Sequence, residues 1–406
     1  MKILIIKQLF FPEHDLKGYP FGKELTRQGH SVQIITGFPS YPGGKVYDGY
    51  KIKLLQRENV EGIDVIRIPI YPSHDNSGFK RTITYLSYSF FATFIGLFFA
   101  RKADVMYVYH PPPTVSIPAI INKFFRKIPI VSDVQDLWPD TLRSTGMVNS
   151  EVVIKIVGRY MNFVYKNSDK IIAQSPGFKE RLVKRGIDSN KIKVIYNWSH
   201  EIITESKEEN QCTDLNDIFN FEFNLLYAGN LGKAQALDSI INVAELAQNE
   251  NQSIGIIFVG NGIESGHLKN LTNKKRIKNI HFINRVPVYQ IADYMKKSSA
   301  LLVHLRKDEL FKITIPAKIQ SYLRIGKPIV ACLEGDPANL ISKAECGVIC
   351  EPENQIDIYE KVKYLKNLSD EQLDKMGENG KAYYYKNLSI EQGTQSILEV
   401  FNSLRK

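Results

Sequence analysis

The sequence predicts an α/β protein made of two Rossmann-like, doubly wound domains facing each other across a cleft. Three observations carry this. Short apolar runs alternate with amphipathic stretches along almost the whole chain, the runs fall into two sets, and residues 200–222 between the sets are polar and charged without helical or strand periodicity. Strands alternating with helices call for a parallel sheet with both faces covered. The expected organisation is a first domain over 1–199, a linker over 200–222, a second domain over 223–380, and a C-terminal helix within 381–406 packing back toward the first domain.

In chain order, the opening MKILIIKQLF has four apolar residues before Lys7 and no small-residue cleavage site, so it reads as a buried strand over 2–6 rather than a signal peptide. Further strands are expected at 32–36, 65–68, 105–109, 130–133, 170–173 and 193–195, with helices such as 19–28 and 151–167 between them. The second set reads 223–227, 255–259, 280–282, 300–304, 329–331 and 347–350, with a helix over 236–249.

Of 406 residues, 43% are hydrophobic and 24% charged, enough for sizeable cores, and 26 glycines with 18 prolines exclude collagen-like and disordered classes. Cys212, Cys332, Cys346 and Cys350 form no CxxC pair and have no partnering histidine cluster, which argues against structural zinc and for a reducing, cytoplasmic setting. Residues 1–200 hold 28 Lys and Arg against 16 Asp and Glu, a net of +12, while the remainder holds 25 against 27. The basic half should meet nucleic acid, a lipid surface or a phosphate-bearing substrate. No zinc-finger spacing, RNP-like motif or basic heptad region occurs, so nucleic acid is not expected as a partner.

Doubly wound sheets bind ligands beyond the C-terminal ends of their strands, so the loops after strands are where chemistry is sought. After 223–227 comes AGNLGKAQAL, in which Gly229, Asn230 and Gly232 permit a tight turn, Lys233 adds charge and a helix N-terminus follows. This is a candidate diphosphate cradle, or an ordinary strand-to-helix turn. After 255–259 comes a second such turn, Gly260-Asn261-Gly262. In DELFKITIPAKIQSYLRIGKP, Pro316 can open a helix with Ala317 and Lys318 at its N-terminal end. A lysine there opposes the helix dipole unless a phosphate binds; the alternative is a solvated surface lysine.

In the first half, VSDVQDLWPDTLRSTG places Asp133, Gln135, Asp136 and Asp140 around Trp138 and Pro139. Such a loop could hold sugar hydroxyls; alternatively Asp140 caps a helix and Trp138 plugs an interface. His110, before three prolines, is a second candidate, for chemistry or for structure. The stretch 79–102, FKRTITYLSYSFFATFIGLFFARK, has an apolar core of about 11 residues, too short for the roughly 20 that span a bilayer. Its basic flanks and aromatic content fit a helix in the membrane interface, and a helix packed in the domain core fits equally.

In sequence order, the opening strand with FFPEHDLKG, then QGHSVQIITGFPSYPGG, DLWPD, SDKIIAQSPGFKERL, VIYNW, YAGNLGKAQALDSII, FVGNG and PAKIQSYLRIGKPIV together resemble a retaining glycosyltransferase of the GT-B fold, in family 4. Among its members the chain looks most similar to bacterial capsule and O-antigen enzymes resembling N-acetyl-L-fucosaminyltransferases. The resemblance implies transfer of a sugar such as N-acetyl-L-fucosamine from a UDP-sugar on the second domain to a polyprenyl-diphosphate-linked saccharide on the first. It implies no cofactor and no metal, and no DxD motif occurs. It further implies a cytoplasmic enzyme, peripheral on the inner face of the plasma membrane, with residues 79–102 on anionic lipid. Under it, Lys318 and Lys233 meet the diphosphate, and Gly229, Asn230, Gly260 and Asn261 shape the backbone. Pro316, Ala317 and Ser321 adjoin them, and Arg285 and Val286 flank the base. Asp136 and His110 join Lys318 as catalytic candidates, with Lys17, Gly18 and Gln135 on the acceptor side.

The chain departs from the family pattern. Asn230 and Gln235 stand where many members carry arginine and lysine, Ile313 and Ser321 where they carry Glu-x7-Glu, and Gln135-Asp136 where they carry His-Asp. Donor-sugar contacts then fall to backbone amides over 314–317, to Lys318 or to Glu309. The missing carboxylates keep open an inactive nucleotide-sugar-binding scaffold, and a GT-B-shaped epimerase or phosphorylase is a further alternative. A dinucleotide oxidoreductase is disfavoured, because no GxGxxG follows the first strand.

Overall fold

The computed structural model describes all residues except 14, 74–77, 145, 147, 149, 200–214 and 406, so Cys212 and most of the expected linker lie outside the described residues. The chain divides into two compact units, Met1–Tyr196 with Ile390–Lys406, and Asn197–Ser389.

Unit 1 runs β1 Lys2–Ile6, α1 Tyr19–Arg27, β2 Ser31–Gly37, β3 Gln56–Val60, β4 Ile63–Ile68, α2 Gly78–Phe98, β5 Val105–His110, α3 Ser116–Arg126, β6 Ile130–Val134, α4 Asp140–Ser144, α5 Glu151–Asn167, β7 Lys170–Ala173, α6 Pro176–Lys184 and β8 Ile192–Val194. Its sheet has the order β3-β4-β2-β1-β5-β6-β7-β8, parallel except for the β3–β4 pair. Strand β3, QRENV, has no apolar run and was not expected from sequence. It forms a hairpin on the sheet edge through Glu61 and Gly62, both at positive φ, where few side chains are buried. The step from β1 to β2 runs opposite to the steps from β4 to β5 and onward, so right-handed crossovers put α1 on one face and α2, α3 and α5 on the other. The last helix, α14 Ile390–Asn402, lies on the α1 face, where Phe401 and Phe21 both contact the Tyr107 ring.

Helix α2 accounts for the 79–102 stretch. One side joins the core through Tyr88, Ala92 and Ile95, which pack on Leu4, Ile6, Met106 and Val108. The buried Tyr88 hydroxyl reaches the carbonyls of Lys7 and Ile35 at 2.9 and 2.8 Å. The other side leaves Leu86, Phe90, Phe94 and Phe98 exposed at a spacing of four. Among the described residues, no helix is long and apolar enough to cross a membrane.

Unit 2 runs β9 Phe223–Ala228, α7 Asp238–Asn249, β10 Ile254–Val259, α8 Ser265–Lys274, β11 Ile280–Ile283, α9 Val288–Lys297, β12 Ala300–His304, α10 Ala317–Ile325, β13 Ile329–Cys332, α11 Asp336–Ala344, β14 Gly347–Cys350, α12 Gln355–Lys366 and α13 Asp370–Asn387. Its sheet is wholly parallel in the order β11-β10-β9-β12-β13-β14, the doubly wound arrangement with its switch between β9 and β12. Two helix starts differ from expectation. Helix α7 begins at Asp238, not 236, because a single 3-10 turn, Lys233–Gln235, is broken by Ala236 at φ +43°. Pro316 is extended and occupies the N-cap position just before α10, outside the helix and without a capping side-chain bond.

Candidate functional site

The loops after β9 and β10 interlock. The Gly229 N–H donates to the Val259 carbonyl at 2.9 Å, Leu231 to Asn261 at 3.1 Å and Gly260 to Ile283 at 3.0 Å. Gly260 has φ +143°, and a Cβ on it would sit 2.0 Å from the Gly229 carbonyl oxygen, so only glycine permits this approach. From the strand below, the Tyr227 hydroxyl donates to the Asn230 carbonyl at 2.8 Å and fixes the first loop.

The first turn of α10 closes the site. Lys318 Nζ lies 3.5 Å from the centre of the Tyr227 ring and would be 3.2 Å from a Cβ on Gly229. The ammonium is buried and no hydrogen-bond partner reaches it; burial pulls its pKa down to about 7. It is therefore not a solvated surface lysine. The ring face attracts a cation, but the α10 N-terminus adds positive potential of its own. What the arrangement lacks is an anion.

Around these groups lies a pocket of about 510 Å³, within the range of small-ligand sites. Of the residues expected from sequence, Gly229, Asn230, Gly260, Asn261, Arg285, Val286, Ala317, Lys318 and Ser321 line it, joined by Ile291 and Met295 on an apolar wall. Pro316 and Lys233 do not, and the Lys233 side chain points to solvent from the 3-10 turn. Glu309, considered for the donor sugar, is exposed and pairs with Lys312 at 2.8 Å. No carboxylate is among the described residues lining the pocket.

Two supporting residues escaped the sequence reading. Tyr227 is one, and its place two residues before Gly229 on a strand end was the available signal. His304, at the end of β12, is the other. Its Nε2 accepts the Glu353 N–H at 3.1 Å, so its Nδ1–H donates to the Gln235 carbonyl at 2.7 Å and holds the turn after Gly232. Burial holds its pKa near 4, which keeps it neutral. Gln235 serves that same turn, accepting from the Gly232 N–H at 3.1 Å.

In unit 1 the expected residues gather near the C-terminal ends of β1, β5 and β6, largely satisfied by one another. Asp133 is fully buried; Lys17 donates to it at 2.7 Å, and Tyr107 and Gln135 donate to it as well. A second buried pair joins Lys7 to Asp15, with Lys7 4.3 Å from the centre of the Tyr109 ring. Any side chain on Gly18 would run into the Asp15 carboxylate. Lys17, Gly18 and Gln135 are thus parts of a packed polar floor. Asp140 pairs with Arg185, which also donates to the Trp138 carbonyl at 2.7 Å, so its carboxylate is engaged in structure.

Two groups here stand apart. His110 is buried with both ring nitrogens unpartnered, and burial lowers its pKa to about 4, so it is a neutral imidazole. Burial raises the pKa of Asp136. A larger groove of about 1060 Å³ lies beside the C-terminal ends of α3 and α5, lined by Phe124, Phe125, Lys127 and Phe163. It sits at the N-terminal ends of the strands, away from the loops where doubly wound sheets hold ligands.

Comparison with known proteins agrees with this geometry. The family model described as "Glycosyl transferase 4-like domain" matches residues 20–198, and that described as "Glycosyl transferases group 1" matches residues 216–383. Among curated relatives, "Putative colanic acid biosynthesis glycosyl transferase WcaI" of Escherichia coli K12 is 23% identical, covering 86% of each chain. Among solved structures, Anabaena HepE in complex with UDP and glucose superposes with a TM-score of 0.69 at 14% identity, over 99% of this chain and 100% of that one. Sucrose-phosphate synthase from Thermosynechococcus elongatus gives 0.68 at 14% identity, over 99% and 98%. The fold is therefore GT-B, with a glycosyl transferase 4-like domain over residues 20–198 followed by a glycosyl transferases group 1 domain over residues 216–383, so that each half of the chain matches a glycosyltransferase family.

Proposed function

We propose that the chain transfers a sugar from a UDP-sugar to a lipid-diphosphate-linked saccharide, with retention at the anomeric carbon and without a bound metal, in capsule or O-antigen synthesis. One observation carries the reading: a buried, unpartnered Lys318 ammonium at a helix N-terminus, facing two interlocked glycine loops at the strand ends of unit 2. A diphosphate supplies the missing anion, taken up by Lys318, by the free N–H groups of α10 and by the backbone near Gly229 and Gly260. Arg285 and Val286, with the apolar wall of Ile291 and Met295, suit a flat base. Ser321 and Ala317 offer small groups to the sugar.

In the proposed step the bond from the anomeric carbon to the leaving phosphate oxygen breaks while a bond to the acceptor oxygen forms on the same face. The acceptor proton passes to the departing phosphate oxygen. The donor pocket lacks a carboxylate, so nothing in it supplies the covalent nucleophile of a double displacement, and positioning with charge stabilisation carries the rate. His110, as a neutral imidazole, and Asp136 would bind acceptor hydroxyls. The transferred sugar is proposed as an N-acetylamino sugar such as N-acetyl-L-fucosamine. The capsule-type relative and the exposed apolar side of α2 support a peripheral position on the inner face of the plasma membrane.

Calorimetric titration with UDP, GDP and ADP, followed by transfer assays with UDP-N-acetylamino sugars in the presence of EDTA, tests the reading. Selective UDP binding and metal-free transfer are expected. Because Ile313 and Ser321 replace two family carboxylates, a scaffold that binds donor without using it is the second reading. Tight UDP-sugar binding with neither transfer nor slow hydrolysis would establish that instead.

A further inference from the structure

Two short sequences in unit 1 nearly repeat: Phe98-Phe99-Ala100-Arg101-Lys102 and Phe124-Phe125-Arg126-Lys127. The first begins on the last residue of α2 and runs on past it, the second ends α3, and the two helices pack side by side. Arg126 ties the ends together, donating to the carbonyls of Gly96, Ala100 and Arg101 at 2.6, 3.0 and 2.7 Å. The phenylalanines are left outside: Phe98, Phe124 and Phe125 are 74%, 68% and 67% exposed. Lone exposed apolar residues need no explanation, but a bound cluster of rings does. On one side it continues along the α2 stripe, and on the other across the 1060 Å³ groove to Phe163 of α5, where Ile156 is also exposed.

The charge of this face is as uneven as its polarity. Helices α2 and α3 contain no acidic residue, and the single one in α5, Glu151, is paired with Arg143 at 2.6 Å. The three helices hold seven lysines and arginines, with Arg101, Lys102 and Lys127 directly following two of them. Beside the helices, Asp104 and Asp169 line the groove, Asp169 pairing with Lys123 at 2.7 Å, and Asp64 pairs with Arg101 at 3.2 Å, so the border is mixed but carries a clear cationic excess. Rings on a rigid surface within such a border match a bilayer whose headgroups are anionic and whose interior is apolar. They match a second copy of the chain poorly, because a two-fold contact would set each cationic border against itself.

We propose that unit 1 docks on anionic phospholipid through the joint α2–α3–α5 face, anchored by the two phenylalanine pairs. This rests on the peripheral-membrane reading above and deepens it: the contact is a surface built from three helices, not the 79–102 segment alone.

The test is flotation of the full chain with vesicles of phosphatidylcholine containing phosphatidylglycerol, and of phosphatidylcholine alone. Three chains are compared: the parent, Phe124→Ser with Phe125→Ser on α3, and Phe98→Ser with Phe99→Ser at the end of α2. UDP calorimetry on each reports that unit 2 is folded, and circular dichroism that unit 1 is. The parent should bind the anionic vesicles preferentially, and each double variant should lower partitioning about tenfold or more. Loss in the α2 variant with an unaffected α3 variant would overturn the joint face and leave the membrane reading intact. No binding by the parent would overturn both. A parent that dimerises, with a monomeric α3 variant, would assign the face to a second copy and refute the proposal.

Discussion

Replacing Lys318 with methionine keeps an unbranched side chain one atom shorter and removes its charge. In the ligand-free protein burial lowers this lysine from 10.5 to about 7, so holding it charged costs roughly 5 kcal/mol at about 1.4 kcal/mol per pKa unit. The folded value lies below the unfolded one. The unfolded chain therefore holds the proton and the native chain releases it from about pH 7 to about pH 10, stability rises with pH across that window, and the whole cost is felt below it. Lys318→Met should accordingly raise the melting temperature of ligand-free protein at pH 6 and flatten this part of its pH dependence. Ligand binding should show the opposite sign. A diphosphate favours the ammonium, so above pH 7 UDP must bring a proton in with it. Affinity should then fall roughly fiftyfold from pH 7 to pH 9, with proton uptake visible as a dependence of the calorimetric enthalpy on buffer. The methionine variant should lose about 1.5–3 kcal/mol of UDP affinity at pH 7, and its residual binding should not vary with pH. A variant within twofold of the parent, or a parent whose binding takes up no proton between pH 7 and 9, refutes the assignment of Lys318 to the diphosphate.

Three further predictions follow from the packing. Gly260→Ala places a Cβ 2.0 Å from the Gly229 oxygen at φ +143°, so it should destabilise unit 2 by about 3 kcal/mol or more and abolish UDP binding, read by thermal melting and calorimetry. Asp133→Asn removes the carboxylate that pairs with the buried Lys17, and chemical denaturation followed by fluorescence should show a loss of about 3–5 kcal/mol in unit 1 with UDP affinity unchanged. His110→Phe should cut transfer about tenfold or more through loss of acceptor binding while leaving UDP affinity within twofold; an unchanged rate removes His110 from the acceptor side.

What could be read from the sequence depended on how local each cause was. Central strands of a doubly wound sheet are buried on both faces and appear as apolar runs, which is why the expected strands 2–6, 170–173 and 300–304 coincide with β1, β7 and β12. The edge strand β3 carries no such signal. The glycine loops were legible because a positive φ at a close approach has few residue solutions. The state of Lys318 was not, since its burial depends on Tyr227, 91 positions earlier, and on the loop that follows that residue. Nor was the bond between Lys17 and Asp133, 116 positions apart, which joins the loop after β1 to the end of β6. Helix α2 was legible as a helix and ambiguous as a surface. Its pattern serves two apolar environments at once, the core on one side and the Leu86–Phe98 stripe on the other.

The family departures gain a physical sense when the charges are taken together. Relatives resembling this chain place two cations and two carboxylates around the donor; here Asn230 and Gln235 replace the cations, and Ile313 and Ser321 the carboxylates. Removing both signs leaves the net charge facing a diphosphate little altered and spares the desolvation of four ions. Lys318 then carries the remaining charge in a pocket without a carboxylate to hold it protonated. Restoring one cation alone tests this balance. Asn230→Arg introduces a like charge into the same pocket, and across a distance of about 8 Å at an effective dielectric near 20 the repulsion is roughly 2 kcal/mol. The ligand-free variant should melt lower than the parent, and its Lys318 should titrate below pH 7. Its UDP affinity at low salt should rise, with the proton uptake at pH 7 to 8 increased, because more of Lys318 starts out neutral. A variant that gains affinity with no loss of ligand-free stability would mean that the guanidinium found a partner outside the pocket, and that charge balance at the donor is not what this lineage of substitutions preserves.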